Sequence, residues 1–425
     1  MSIFVLGVIL LLLAIVGMPL FVLVGGLAIY LFTSSGGEST YIIAELTRLA
    51  DFPNLIAIPL FTFAGYVLAE SKSPQRLLNL SQALVGAVPG GLAIVALLAC
   101  AVFTAFTGAS GVTIVALGGL LLPVMLEQRY PEKFSLGLLT TTGSLGLLFP
   151  PSLPIILYGI VAQISINQLF VAGLVPGILL IVLLAGYAVV VVRRSPVRKI
   201  AFNPSHVVRA LRAVIWELPL PVIVLGGIYT GTITATEAAS VTAFYVLIIE
   251  TFVYKDIRLL TDVPRVLRKS MVLVGAIFIM LGMAMGLTNY FIDQQIPQQL
   301  FGWTHTFISN KYIFLLCLNA VLLVINMIEV FSAIIIFVPL IVPIANQYAI
   351  EPIHLGIVFL LNLEIGYMLP PLALNLFIGS LRFERPLTLL YRAVLPFVAI
   401  LLFALFLVLL FPDMSLWLVH LLNVK

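Results

Sequence analysis

The chain has 425 residues, of which 62% are hydrophobic and only 9% charged, with a formal net charge of +4. A water-soluble fold cannot hide that much apolar surface, and long unalternating runs exclude an outer-membrane barrel, so the class is an all-α polytopic membrane protein. The basic residues lie between apolar runs, which makes the lipid bilayer the partner and removes nucleic acid; Cys100 and Cys317 are isolated and form neither a disulfide framework nor a metal site.

The first apolar run, 3–33, lacks a basic leader and a small-residue cleavage site, so a retained helix bent at Gly17-Met18-Pro19 is predicted. A polar stretch at 34–53 leads to a second span at about 54–70. Residues 74–88 place leucines at helical spacing against Gln75, Arg76, Asn79 and Gln82, the pattern of an amphipathic helix lying along the interface. The apolar stretch 90–126 is interrupted by Thr107, Gly108, Ser110 and Gly111 and has basic residues on both flanks, Lys72 and Arg76 before it and Arg129 and Lys133 after it. Both ends prefer the same side, so a re-entrant hairpin with its tip at Gly108–Gly111 is expected.

The run 134–162 carries GSLGLLFPPS (143–152) at its centre. Adjacent prolines remove backbone donors and crowd the preceding turn, so the helix opens there. Spans follow at 167–192, 214–230, 235–254 and 270–290, separated by basic loops that include Arg193, Arg194, Lys255, Arg265, Arg268 and Lys269. Residues 291–310 read as an interfacial arm on the opposite side. A second hairpin is expected at 312–346 and a second broken helix at 351–380, interrupted at NLEIGYMLPPLA (362–373), before a last span at 393–411.

Residues 1–192 and 235–425 thus repeat one order of spans, arm, hairpin, broken helix and closing span, joined by the basic loop and linker span of 193–234. A single linker span inverts the second copy, which predicts an inverted-repeat transporter with a cytoplasmic amino terminus. The dense Lys/Arg clusters then share the cytoplasmic side.

The opened backbone at 146–151 and the hydroxyl of Ser110 form a first candidate site for an alkali cation. A mirror site draws on 366–371 and the tip Glu329–Ser332, where Glu329 takes a cation, a proton or solvent at a hairpin mouth. Glu364 caps or braces the second break, and Glu237, after Thr236, caps the helix that follows. Neither hairpin nor break carries a Lys or Arg, so an anionic substrate would meet hydroxyls and the helix N-termini after Pro151 and Pro371; Arg48 and Lys311 are read as solvated surface charges. The chain has no G-x-x-x-x-G-K-[ST] loop, and His206, His305, His354 and His420 lie in loops or near ends, which disfavours a membrane enzyme. An ion channel fits poorly with a chain holding inequivalent breaks.

IPLFTFAG (58–65), PGGLAIVAL (89–97), the GASG tip (108–111), GSLGLLFPPSLPIILYG (143–159), LFVAGLVPG (169–177), TATEAA (234–239) and NLEIGYMLPP (362–371) together resemble the large permease subunit of tripartite ATP-independent periplasmic (TRAP) transporters, over nearly the whole chain. The resemblance implies sodium-driven import of an organic anion, a dicarboxylate, sialic acid or other sugar acid, across a bacterial or archaeal cytoplasmic membrane by an elevator motion. It implies a small four-helix membrane subunit and a periplasmic substrate-binding protein as partners. By position it implies one Na+ site at Ser110, Val112, Gly146, Phe149 and Pro151, and a second at Glu329, Ser332, Gly366, Leu369 and Pro371. Relatives often carry a serine at the position of Val112 and a hydroxyl at that of Leu369, and neither is present here. A stand-alone carboxylate symporter of similar fold is the alternative.

Overall fold

The structure, a computed structural model, describes residues 9–10, 12–14, 16–36, 40–85, 88, 90–197, 203–325, 330–370 and 373–422. Among these residues there are helices and no strands. Gly17 turns the chain at φ +89°, and after Pro19 come α1 (Leu20–Ser34), α2 (Thr40–Arg48), a 3₁₀ turn at Pro53–Ile56, α3 (Ala57–Glu70) and α4 (Ser73–Val85). The first hairpin is α5 (Gly91–Thr107) and α6 (Ser110–Glu127). An interrupted helix follows as α7 (Glu132–Thr142), a 3₁₀ turn at Leu145–Leu148 and α8 (Leu153–Ala162), bent by 43°. Then come α9 (Ile166–Ala172), α10 (Leu174–Arg193), α11 (Pro204–Val214), α12 (Pro219–Tyr229), α13 (Ala235–Val253) and α14 (Asp262–Asp293). The remainder is α15 (Ile296–Phe307), α16 (Lys311–Ile325), α17 (Val330–Gln347), α18 (Pro352–Gly366), α19 (Leu374–Phe383), α20 (Leu387–Leu410) and α21 (Asp413–Leu422). Among the described residues, 7 helices are long and apolar enough to cross a membrane, or up to 10 elements if each bent pair is one span.

Several elements differ from the sequence reading. The helix expected at 270–290 begins at Asp262, because an acidic residue favours a helix N-terminus and Pro264 is tolerated in the first turn. Arg265, Arg268 and Lys269 therefore stand on α14 instead of in a loop. The linker span expected at 214–230 is only the 11-residue α12, about 16 Å long, bent by 66° from α11 at a break that holds Glu217 and precedes Pro219. His354 is buried in the first turn of α18, where Nδ1 meets the Ser415 hydroxyl at 3.2 Å. The N-cap of α13 is Thr234, and Glu237 is its partner in the first turn: the Thr234 hydroxyl accepts the Glu237 N–H, and the Glu237 carboxylate accepts the Thr234 N–H at 2.8 Å.

The helices group by their contacts. In one group α14 runs along α1, α2 and α3, while α13 covers the other side of α3. Close approach is allowed by small residues: a Cβ on Gly25 would fall 2.6 Å from Met283 Sδ, and Gly282 faces Leu46 as tightly. In the other group α5 lies on the 145–148 turn, α16 on α18, and α7 on α20, where a Cβ on Gly137 would fall 2.2 Å from the Ala393 carbonyl oxygen. Within that group α17 packs on α8 and α19 on α6. The groups meet where α14 touches α17 and where Gly65 of α3 lies against the Phe106–Thr107 backbone.

The amphipathic helix α4 is held by a buried ion cluster that its sequence did not announce. Arg76, 11% exposed, donates to Glu217 at 2.5 Å, Asp256 at 2.5 Å and Glu250 at 2.9 Å, carboxylates that are 8%, 7% and 1% exposed. The Tyr254 ring lies 3.8 Å from the guanidinium carbon, and Ser73 donates to Glu217. Burial opposes the charge of Arg76, but the carboxylates outweigh it and leave its pKa raised. The cluster fastens α4 to the α11–α12 break and to the end of α13. Arg76→Gln would leave the buried Glu217 and Glu250 without a cation, and Asp256 with only the longer Lys72 pair at 3.6 Å, and is expected to cost roughly 3–5 kcal/mol of stability. Denaturation of the purified protein in detergent measures this. Adding Glu250→Gln should restore part of the loss; an equal loss in single and double variants would contradict the cluster.

Candidate functional site: a cavity between the first hairpin tip and the second interruption

The first hairpin turns at Gly108, whose φ of +64° favours glycine and whose missing side chain leaves room for Leu153. Helix α6 starts at Ser110 and contains a π turn at Ile114–Gly118. Such a turn alters the backbone ladder, and the Val115 carbonyl accepts from Arg382 Nε at 2.8 Å. That guanidinium lies so close over Gly119 that a Cβ there would overlap it. The buried Ser110 hydroxyl donates to Asn375 Oδ1 at 2.8 Å, and Asn375 Nδ2 reaches the Thr140 carbonyl at 3.4 Å. Thr104 Oγ1 donates to the Gly143 carbonyl at 2.9 Å, so its 2.6 Å contact with Thr113 is donated by Thr113. The tip of the first hairpin is thus tied to α7 before the first interruption and to α19 after the second.

At the first interruption Phe149 is extended and the Pro150–Pro151 peptide is cis. The Gly146 and Phe149 carbonyls accept turn bonds from the Phe149 and Ser152 N–H groups, each at 3.1 Å. Gly146 lies on the α5 backbone, where a Cβ would come within 2.4 Å of the Ala101 carbonyl oxygen, and the Phe149 ring covers Gly177. At the second interruption the Gly366 and Leu369 carbonyls accept from the Leu369 and Ala373 N–H groups at 3.2 Å, and the Tyr367 carbonyl accepts from Asn375 N–H. Ser332 is buried in the first turn of α17. Glu329 and Pro371 lie outside the described residues.

Aligning the Pro-Pro pairs places Gly146 on Gly366 and Ser144 on Glu364. Glu364 is fully buried, and neither carboxylate oxygen has a hydrogen-bond partner among the described residues, so it makes no cap or brace through such a bond to any of them. The hydroxyls of Thr141 and Ser152, flanking the first interruption, are likewise buried and unpartnered.

A cavity of about 740 Å³ opens beside the first tip. Its walls include Ser110 and Val112 from the tip, Phe331 from the start of α17, and Tyr367 and Leu374 on either side of the second interruption. Tyr66 and Glu70 of α3 and Lys269 of α14 complete it. Among the residues singled out in the sequence, Ser110 and Val112 line this cavity; Ser332 and Gly366 adjoin it through Phe331 and Tyr367; Gly146, Phe149 and Pro151 do not line it. Sequence reasoning missed Lys269, Glu70, Asn375 and Arg382. The Asp262–Pro264 start signal, upstream of the apolar run, could have placed Lys269 on a helix.

A hairpin and interrupted helices beside a cavity, within a helical body of membrane-spanning length, define a membrane transport protein. Residues 3–414 match the family described as "Tripartite ATP-independent periplasmic transporter, DctM component". The chain is 38% identical over 397 residues to the C4-dicarboxylate TRAP transporter large permease protein DctM of Pseudomonas aeruginosa, covering 92% of each. It is 33% identical over 399 residues to the isethionate TRAP transporter permease protein DctMQ of Oleidesulfovibrio alaskensis, covering 91% of this chain and 62% of that longer protein. The YdaH transporter of Alcanivorax borkumensis shares the fold at a TM-score of 0.62 and 14% identity, covering 88% of this chain and 87% of that one. The chain therefore belongs to the large permease component of TRAP transporters, a family of permeases and not of enzymes.

The Ser110–Asn375 bond is open to a double-mutant cycle. Ser110→Ala and Asn375→Ala are each expected to destabilise the protein by about 1–2 kcal/mol and to couple by about 1 kcal/mol, as read by denaturation in detergent. Additive losses would show that the pair does not act as a bond.

Proposed function

We propose that this chain is the translocation subunit of a sodium-coupled importer of an organic anion, in the cytoplasmic membrane. A periplasmic binding protein delivers the cargo, and a small four-helix subunit braces the permease. The first hairpin and the interrupted helices, held to one another by Ser110–Asn375, Arg382–Val115 and Thr104–Gly143, move together with α17, which packs on α8, as one transport body against the frame of α1, α2, α3, α13 and α14. This is an elevator motion, built on an inverted repeat that pairs 1–192 with 235–425.

The observation that carries the reading is the cavity shared by the first tip, Phe331, Tyr367 and the frame residues Tyr66 and Lys269. It lies toward the ends of α3 and α14 that carry Glu70, Arg265 and Lys269, beside the basic loops that mark the cytoplasmic side. Where α8 and α17 face the other half of α14, near Gln163 and Asn289, the hollow is only about 80 Å³. The arrangement suits an inward-facing state that releases cargo into the cell.

Sodium needs hard oxygen donors. The unpartnered oxygens of Thr141, Ser152 and Glu364 beside the interruptions fit that chemistry. Ser110 and the Gly146 and Phe149 carbonyls already hold protein partners, so a cation there would share or replace those bonds.

In proteoliposomes containing the permease and both partners, uptake is expected to collapse when sodium is replaced by potassium or choline. Pro151→Ala should impair uptake while leaving expression intact. Full uptake driven by a proton gradient without sodium would overturn the coupling, and full uptake without the binding protein would favour a stand-alone symporter.

A further inference from the structure

The charges at the cavity's frame wall are unevenly matched. Lys269 Nζ and Glu70 Oε1 are 2.5 Å apart, and Arg265 reaches Glu70 Oε2 at 3.4 Å while holding Asp262 at 3.0 Å. Glu70 therefore stands between cations, near enough to either to be kept by one when the other is taken. A second hollow of about 520 Å³ shares Tyr66 and Lys269 with the main cavity and is lined further by Arg265 and Arg268. Arg268 has no ion-pair partner among the described residues. The cations Arg265, Arg268 and Lys269 outnumber the carboxylates Glu70 and Asp262 at this wall, so it attracts anions. Both sides of the Lys269–Glu70 pair remain partly exposed to the cavity, at 51% and 27%, and an exposed pair of this kind is exchanged at little cost.

We infer that Lys269 is an anion-binding residue for the cargo and that Glu70 is its built-in placeholder. The inference rests on the proposed transport of an organic anion and deepens it. A carboxylate entering beside Ser110 takes the ammonium of Lys269, and Glu70 passes to Arg265. When the cargo leaves past Arg268, Glu70 returns to Lys269, so the cation is never left bare. The exchange gives the cavity a cationic contact from α14 of the frame, since Arg382 of α19 is turned to the Val115 carbonyl and is not among the cavity's lining residues. It selects for negative charge in the cargo without fixing its shape, since a cavity of this size leaves the rest of the molecule free.

The test uses the full-length permease with Cys100 and Cys317 replaced and a single cysteine at Val115, an exposed position on the cavity wall. Alkylation of that cysteine by N-ethylmaleimide is timed against increasing succinate, with neutral succinamide as control, in sodium. Succinate should slow labelling and succinamide should not. Glu70→Gln removes the competing carboxylate and should lower the half-protecting succinate concentration by about tenfold, while Lys269→Gln should raise it by at least about tenfold. Lys269→Arg should retain protection. Equal protection in wild type and Lys269→Gln, or no gain in Glu70→Gln, would overturn the exchange. No succinate protection in the wild-type background would overturn the anion site itself. Intact protection with no uptake in proteoliposomes would instead overturn the transport reading beneath it.

Discussion

The interior of a bilayer offers no water to satisfy peptide groups, so a helix can open at membrane depth only where other protein atoms or a polar cavity take its N–H and C=O groups. That constraint organises this chain. Turn bonds take some of the groups freed at each interruption, and the first hairpin lies beside both. Thr104 of the first hairpin takes the Gly143 carbonyl, and the tip hydroxyl of Ser110 takes Asn375 beyond the second interruption. The π turn of α6 raises the same problem at Val115, and Arg382 answers it. The first hairpin and the interruptions therefore support one another. The cavity opens beside their meeting, lined by Ser110, Phe331 and Tyr367.

A different set of charges holds the frame. Arg76 gathers Glu217, Glu250 and Asp256 from separate segments and pins α4 between the linker break and the end of α13. Helix α4 also runs along α5, the first arm of the first hairpin. In the proposed elevator this makes α4 the hinge arm: fixed at Arg76 and carrying the moving hairpin at its other contacts. The Gly65 contact with the Phe106–Thr107 backbone is the complementary feature, a smooth surface where α3 and the hairpin approach without side chains between them.

Much of this was legible in the sequence because prolines and glycines have fixed backbone consequences. The Pro-Pro pairs marked both interruptions, and Gly108 marked the tip. Charged residues were harder to place. A window of hydropathy ends α14 at its first charges, yet Asp262 and Pro264 start the helix earlier and carry Lys269 to the cavity wall. Arg76 read as an interfacial flank, since its partners lie far along the chain at Glu217, Glu250 and Asp256, and local spacing cannot reveal such a contact. Asn375 and Arg382 follow the second interruption and read as ordinary helix residues; only the tertiary fold brings them to the first hairpin. Glu329 of the mirror site falls outside the described residues, and the buried carboxyl the structure does place beside the second interruption is Glu364.

The central claim is that the hairpins and interrupted helices move together against the frame, and a pair of cross-links tests it most directly. One joins Tyr66→Cys in α3 to Ala109→Cys at the first tip, residues that face the same cavity from the two groups. The other joins Gly111→Cys to Ile378→Cys, which touch within the moving group. Both are closed with a bifunctional methanethiosulfonate reagent in proteoliposomes containing the partners, and sodium-driven uptake is measured before and after reduction. The account expects the Tyr66–Ala109 link to stop uptake and reduction to restore it, while the Gly111–Ile378 link leaves uptake in place. Unchanged uptake with Tyr66 and Ala109 fully linked would contradict the motion.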